Sequence, residues 1–179
     1  MRIIMRREVI DSKHIGLAWD FRVNPSSCGN PDHYENYIKF CALTDKCNGL
    51  NVTHLFIDGE DENECICGYV TLKATAFIRE DDGIRLGYPA IEISELAVDS
   101  RFERRGLGTI MVKFAFVRAE KLRNSSLGIQ YIALCADPCA VSFYERPELG
   151  FAKIGDYEDI PRDGWNKTCV PMFVRMKFD

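Results

Sequence analysis

Apolar residues recur along the chain with two different periods, and the switches between them lay out its secondary structure. Ile3 to Ile10 reads as a first strand. Asn30 and Pro31 form an N-cap with proline at the first helical position. Tyr34, Tyr37, Ile38, Cys41 and Ala42 then recur at i, i+3, i+4, i+7 and i+8, one face of an amphipathic helix. Val52 to Ile57 predicts a strand closed by the acidic turn Asp58-Gly59-Glu60-Asp61-Glu62-Asn63. Ile66 to Ile78 predicts a longer strand that pairs with it as a hairpin. Asp81-Asp82-Gly83 turns the chain toward Ile91–Val98, a run long enough for a buried strand. Leu107, Ile110, Met111, Phe114, Ala115 and Leu122 are then spaced for a helix from Gly108 to about Arg123. Ile129–Cys135 follows as a strand, Ala140–Glu145 as a short helix, and Phe151–Ile154 and Val170–Met176 as late strands. This order predicts an α/β or α+β mixed sheet. No repeat, low-complexity tract or linker interrupts it, so residues 1–179 are expected to form a single domain.

Composition narrows the class. A chain of 179 residues can bury a sizeable core. No apolar run approaches the roughly 20 residues of a membrane span. Arg2, Arg6 and Arg7 flank only Ile3-Ile4-Met5, which is no signal-peptide core. The expected compartment is therefore the cytoplasm, and the eight cysteines are expected to be reduced and mostly buried. Cys65 and Cys67 fall on one face of a strand rather than around a zinc turn, so no metal site is expected. The Asn-x-Ser/Thr triplets at Asn51, Asn124 and Asn166 read as accidents of sequence. A net charge of −4 does not advertise a nucleic-acid surface. A local basic cluster does exist: Arg101, Arg104, Arg105 and Lys113, with Arg118 and Lys121 further along the long helix.

That cluster surrounds the most informative segment, Arg104-Arg105-Gly106-Leu107-Gly108-Thr109, which joins the Ile91–Val98 strand to the long helix. The first N–H groups of a helix have no intrahelical partner, and the helix dipole favours negative charge there. Two glycines remove the Cβ atoms that would hold a phosphate away. A dinucleotide fingerprint would need a third glycine where Met111 stands, and a P-loop would need Gly-Lys-Ser/Thr.

The segment Glu103-Arg104-Arg105-Gly106-Leu107-Gly108 instead resembles Gln/Arg-x-x-Gly-x-Gly/Ala, the pyrophosphate loop of the GNAT superfamily of acetyl-CoA-dependent N-acetyltransferases. Glu103 departs at the first position. Downstream, Asp137-Pro138-Cys139-Ala140-Val141-Ser142-Phe143-Tyr144-Glu145, followed by Gly150-Phe151, resembles the second motif of that superfamily, Asn-x-x-Ala-x-x-Phe-Tyr-Glu-x-x-Gly-Phe. Asp137 replaces the asparagine, and the stretch before Gly150 is longer. The two motifs cover about Ile91 to Ile154.

The resemblance implies a GNAT-like acyl-CoA N-acyltransferase fold, a central and mostly antiparallel sheet flanked by helices. Two neighbouring parallel strands splay apart in it to admit the acyl-pantetheine arm. It implies acetyl-CoA as cosubstrate without a metal, held by Arg104, Arg105, Gly106, Leu107, Gly108 and Thr109, by the main chain of Leu96, Ala97 and Val98, and by Asp137 and Ala140. Tyr144 would act as acid toward the coenzyme sulfur, since phenol stays protonated at neutral pH. Glu92 and Glu95 are rival bases for the amine, with a water chain as the third possibility. Glu92 occupies the position where histone-type members place a glutamate, and Glu95 lies nearer the expected acetyl group. Strand alternation predicts that the two point to opposite faces. His14, His33 and His54 lie outside both motifs and are expected to be structural or exposed.

The implied activity is direct transfer of acetyl to a primary amine of a small molecule or protein. An alternative is a toxin of the same superfamily that acetylates aminoacyl-tRNA. The Phe21–Ile38 segment and the Cys67–Leu72 strand loosely resemble that branch. A non-catalytic acyl-CoA-binding module is a further alternative, prompted by Glu103 and Asp137. A homodimer is left open.

Overall fold

The structure is a computed structural model that describes residues 5–155 and 169–177. Its strands are β1 (Arg6–Val9), β2 (Val52–Asp58), β3 (Cys65–Asp81), β4 (Ile84–Val98), β5 (Tyr131–Ala136), β6 (Ala152–Lys153) and β7 (Val170–Arg175). Its α-helices are α1 (Ile15–Ala18), α2 (Pro31–Asn36), α3 (Ala42–Cys47), α4 (Leu107–Ser125) and α5 (Val141–Tyr144). The strands form one sheet in the order β1-β2-β3-β4-β5-β7-β6. Every pairing is antiparallel except β4 with β5. The expected mixed, mostly antiparallel sheet is present. The start of the first strand at Ile3 and Ile4, and Asn166, lie outside the described residues.

Each face of the sheet carries its own apolar cluster. On one face α4 buries Leu107, Met111, Val112, Ala115 and Ala119 against Val70, Ile91, Ile93, Ile132 and Met172. The buried stripe of α4 is rotated from the expected one, since Ile110 is exposed. On the other face Phe21, Val23, Tyr37, Ile38 and Ala42 pack on Leu55, Ile57, Tyr69 and Ala97. Asn30 caps α2 by accepting from the His33 N–H at 3.3 Å, with Pro31 at the first turn. The helix expected from Tyr34 to Ala42 widens to π-helix over Tyr37–Cys41. The Tyr69 hydroxyl donates to the Tyr34 carbonyl at 2.8 Å, sharing that acceptor with the Tyr37 N–H where the helix widens.

The β3–β4 hairpin is longer than periodicity indicated. Asp82 and Gly83 turn it with positive φ at both residues, as a two-residue hairpin loop requires. Pairing with β2 ends at Leu72 and pairing with β5 begins at Ala90, so the distal part of the hairpin stands beyond the sheet. Its solvent-facing residues Ile78, Ile84 and Leu86 hide the strand period from a reading based on burial.

Cysteine chemistry departs from the expectation. Cys135 and Cys169 form a disulfide, with Cα atoms 5.5 Å apart. The β5–β7 register pairs Cys135 with Pro171 and so brings Cys169 alongside. Among the free cysteines only Cys67 is buried, while Cys41, Cys47 and Cys139 are exposed. No group of metal-binding side chains occurs among the described residues. None of their helices is long and apolar enough to cross a membrane. The Asn51 amide donates to Asp45 and its oxygen accepts from the Tyr37 hydroxyl, so this side chain serves to tie α3 to the start of β2.

Candidate active site

β4 and β5 pair only from Ala90–Tyr131 to Ile93–Leu134. Beyond that point they diverge, and Ser94, Leu96, Ala97 and Val98 face Cys135, Ala136 and Asp137 across a cleft of about 400 Å³. The Asp99 N–H donates to the Cys67 carbonyl at 2.8 Å, so the polar groups of Asp99 and, two residues back, Ala97 turn toward β3. Those of Leu96 and Val98, by strand alternation, turn toward the opened side.

The glycine-containing loop closes one end of the cleft. Arg104 (φ 59°) and Gly106 (φ 79°) both adopt left-handed backbone, which folds the chain tightly ahead of α4. The helical ladder opens with the Ile110 N–H on the Gly106 carbonyl at 3.1 Å. The N–H groups of Leu107, Gly108 and Thr109 therefore precede it, at the positive end of a 19-residue helix. A Cβ on Gly108 would lie 3.3 Å from the Phe143 ring, so this glycine serves both backbone approach and packing. Of the residues the resemblance implies, Arg104, Gly106, Leu107, Gly108, Thr109, Asp137 and Ala140 line the cleft, whereas Arg105, Glu92 and Glu95 are not among its lining residues. Arg105 lies over the Phe102 ring, 5.3 Å from its centroid. Arg101 is not available to a ligand in the way the basic cluster suggested. Its guanidinium is held by the fully buried Asp99 at 2.7 and 3.0 Å.

The two motif departures share one task. Glu103 accepts from the Asn24 amide and the Ser27 hydroxyl, each at 3.1 Å. Asp137 accepts from the Gly29 N–H at 3.1 Å and from the Cys28 and Cys139 thiols, and it caps the turn at Pro138–Ala140 through the Cys139 N–H. Together they anchor Asn24–Gly29 as a strap along the cleft, where Val23, Ser27 and Cys28 become part of the wall. The sequence signal was the unusual acidity at two motif positions; its meaning required the distant strap. Asp137→Ala is expected to remove the cap and the strap bond together. Loss of such a cap costs about 0.5–2 kcal/mol, and each kcal/mol moves Tm by about 2–4 °C at this size. Calorimetry should read that fall, and hydrogen exchange should show lost protection at the Gly29 amide; unchanged protection there would mean that the strap is held elsewhere.

Tyr144 is buried, stacks edge-on with Phe143 (4.9 Å) and Phe151 (5.6 Å), and lines the cleft. Burial first, and then the Glu95 charge, push its hydroxyl pKa well above the ordinary value. Tyr34 also lines the cleft and is shifted upward for the same two leading reasons. Periodicity had placed Tyr34 only on a packed helix face.

The glutamates correct the expected alternation. Thr71 pairs with Glu95 but Leu72 pairs with Ile93, so Ser94 is an extra residue in β4. This bulge shifts the alternation by one and brings Glu92 and Glu95 to the same face. Glu92 forms an ion pair with Lys73 at 3.2 Å. Glu95 is only 6% exposed, and both its oxygens lie within 3.0–3.1 Å of His33 Nε2. His14 and His54 are structural. His14 is buried between the Asp11 N–H and Glu8, and His54 lies against Phe114, its pKa lowered to about 4 by burial. His33 is not a bystander of that kind.

Residues 17–151 match the model of the acetyltransferase (GNAT) family. No curated protein sequence matches the chain. Among solved structures, a tyrosine-to-phenylalanine mutant of KacT superposes with a TM-score of 0.74 at 17% identity, covering 96% of this chain and 94% of that one. A mutant of the AtaT toxin bound to acetyl-CoA and the C-terminus of the antitoxin AtaR scores 0.69 at 17% identity, covering 96% and 92%. AtaT complexed with acetyl-methionyl-tRNAfMet scores 0.65 at 17% identity, covering 93% of each chain.

Proposed function

The chain belongs to the GNAT acetyltransferase family, and we propose that it transfers an acetyl group from acetyl-CoA to an amine, the acceptor being the α-amino group of an aminoacyl-tRNA. The observation that carries the transfer reaction is the continuity of the cleft. It runs from the backbone donors at the start of α4, along the opened edge of β4, to Tyr144.

Acetyl-CoA supplies an activated acyl carbon and a thiolate leaving group. The N–H groups of Leu107, Gly108 and Thr109 suit its pyrophosphate, with Arg104 and Arg105 beside them. The main-chain groups of Leu96 and Val98 suit the pantetheine amides and the thioester carbonyl. A preorganised donor on such a carbonyl is worth roughly 2.7–4 kcal/mol. Tyr144 donates to the departing sulfur. Of the two carboxylates, Glu95 is the better base. Glu92 is neutralised by Lys73, whereas the charge of Glu95 is felt by both Tyr34 and Tyr144 on the cleft walls. Glu103 and Asp137, departures that prompted the non-catalytic reading, are engaged in holding the strap and leave the transfer residues in place.

Support for the tRNA acceptor is architectural. The chain aligns with AtaT in complex with an acetylated aminoacyl-tRNA over 93% of its length. A small-molecule or protein amine is the second reading, favoured by the net charge of −4. Labelled acetyl-CoA offered to bulk aminoacyl-tRNA, and in parallel to a peptide and polyamine panel, is expected to label the tRNA. That labelling should fall steeply with salt, because each phosphate contact releases counterions. Labelling of the panel alone would establish the second reading, and thiol release with none of these acceptors would remove both.

A further inference from the structure

His33 and Glu95 come from distant parts of the chain and meet just behind the cleft wall, each adjacent in sequence to a lining residue, Tyr34 and Ser94. They are close enough for the Glu95 charge to reach Tyr34 and Tyr144. His33 sits in the first turn of α2, where the Asn30 cap and Pro31 hold its backbone. Glu95 sits at the β4 bulge, next to the extra residue Ser94. The imidazole Nε2 lies 3.0 and 3.1 Å from the two carboxylate oxygens. The two side chains differ sharply in access to solvent, at 6% for Glu95 and 45% for His33.

From this geometry we infer that His33 is a positioning and proton-relay residue, which orients the Glu95 carboxylate and passes to solvent the protons that Glu95 takes from the acceptor amine. The inference rests on the acetyltransferase reading and deepens it. In the step served, the amine nitrogen bonds to the acetyl carbon and the carbon–sulfur bond breaks. The sulfur leaves with the electron pair. A primary ammonium loses two protons on becoming an amide. Both depart through Glu95 and His33 to water, one returns from water through Tyr144 to the sulfur, and the net release is one proton.

A buried carboxylate that accepts a proton needs a path to lose it again, and the groups around Glu95 define that path. Tyr34 and Cys41 from the N-terminal helices, Tyr69 from β3 and Tyr144 from α5 all feel its charge. Lost solvation first, and then neighbouring negative charge, raise the pKa of each of these four, so they stay neutral at working pH and none takes a proton from Glu95. Lys73, on the same face, is engaged with Glu92. His33 differs in being half exposed and in having an ordinary pKa near 6.5, which its hydrogen bond to Glu95 raises. Below that raised value His33 carries a proton and cannot take another, so relay fails on the acid side. Above it the imidazole is neutral and accepts.

The test is single-turnover acetyl transfer to bulk aminoacyl-tRNA and to the peptide and polyamine panel, across pH, for the wild type, His33→Ala, His33→Gln and Glu95→Gln. The wild type should lose rate on the acid side with an inflection above about 6.5. Both His33 variants should lose that inflection and run at least tenfold slower near neutrality, part of the roughly 10²–10⁴-fold that a positioned base supplies. Free imidazole should restore His33→Ala but not Glu95→Gln. His33→Gln retains a donor for Glu95, so a purely orienting role would leave it near the wild-type rate, and that result overturns the relay. Unchanged profiles in both variants overturn the inference while leaving the acetyltransferase reading intact. Failure of the wild type to acetylate any acceptor overturns both.

Discussion

Replacing Tyr144 by phenylalanine is expected to lower the single-turnover rate of acetyl transfer by at least about 10²-fold, within the roughly 10²–10⁴-fold span of general acid assistance. Only the hydroxyl is removed. The ring contacts with Phe143 and Phe151 at 4.9 and 5.6 Å persist, so the fold and the affinity for acetyl-CoA should stay near wild type. The raised pKa of this buried phenol keeps it protonated, ready to donate as charge develops on sulfur. The same shift makes it a weaker acid, which places the expected loss toward the lower end of the span. Rapid-quench measurement of the chemical step, beside calorimetric acetyl-CoA binding, separates rate from affinity. An unchanged single-turnover rate would reduce Tyr144 to a packing residue.

Introducing a carboxylate into the loop ahead of α4 should have an equally large effect on binding. Acetyl-CoA at about 100 times its Kd stabilises a protein that binds it only when folded by about 2.7 kcal/mol. At roughly 2–4 °C per kcal/mol, that is a Tm increase of about 5–10 °C. Gly108→Glu should abolish the increase, because the side chain brings bulk and negative charge to the N–H groups proposed for the pyrophosphate. Its Cβ would also meet Phe143 at 3.3 Å, so some loss of intrinsic stability is expected. Thr109→Glu, at a neighbouring cleft position, places the same charge without adding a Cβ. Both variants should melt cooperatively without ligand and show no shift with it. A full shift in Thr109→Glu would move the phosphate site away from this loop.

The local rules of sequence reached far into this fold. The cap at Asn30-Pro31, the glycine loop before α4 and the turn at Asp82-Gly83 each depend on the conformational needs of a few adjacent residues. All three are found where periodicity and turn chemistry put them. The candidate cleft residues were equally legible, because Gly106, Gly108 and the Asp137–Tyr144 stretch lie within two short contiguous motifs.

Four misreadings, of the disulfide, the glutamates, the acidic motif positions and His33, share one cause, a contact between segments far apart in the chain. The Cys135–Cys169 disulfide depends on the β5–β7 register across 34 residues. Glu92 and Glu95 share a face because of a bulge, and a bulge exists only relative to a partner strand. Glu103 and Asp137 look like defects in their motifs until the Asn24–Gly29 strap, more than 70 positions away, is folded against them. His33 looked structural until α2 was packed over β4, where its imidazole meets a buried carboxylate 62 residues distant. Sequence by itself determined the secondary-structure order, the glycine loop and the family, since each resides in local propensity or contiguous pattern. Tertiary structure alone decided which face each glutamate presents, which cysteines pair, which arginine is consumed by an internal ion pair, and which histidine meets a buried carboxylate. Those outcomes follow from strand register and helix packing, which no short window of residues encodes.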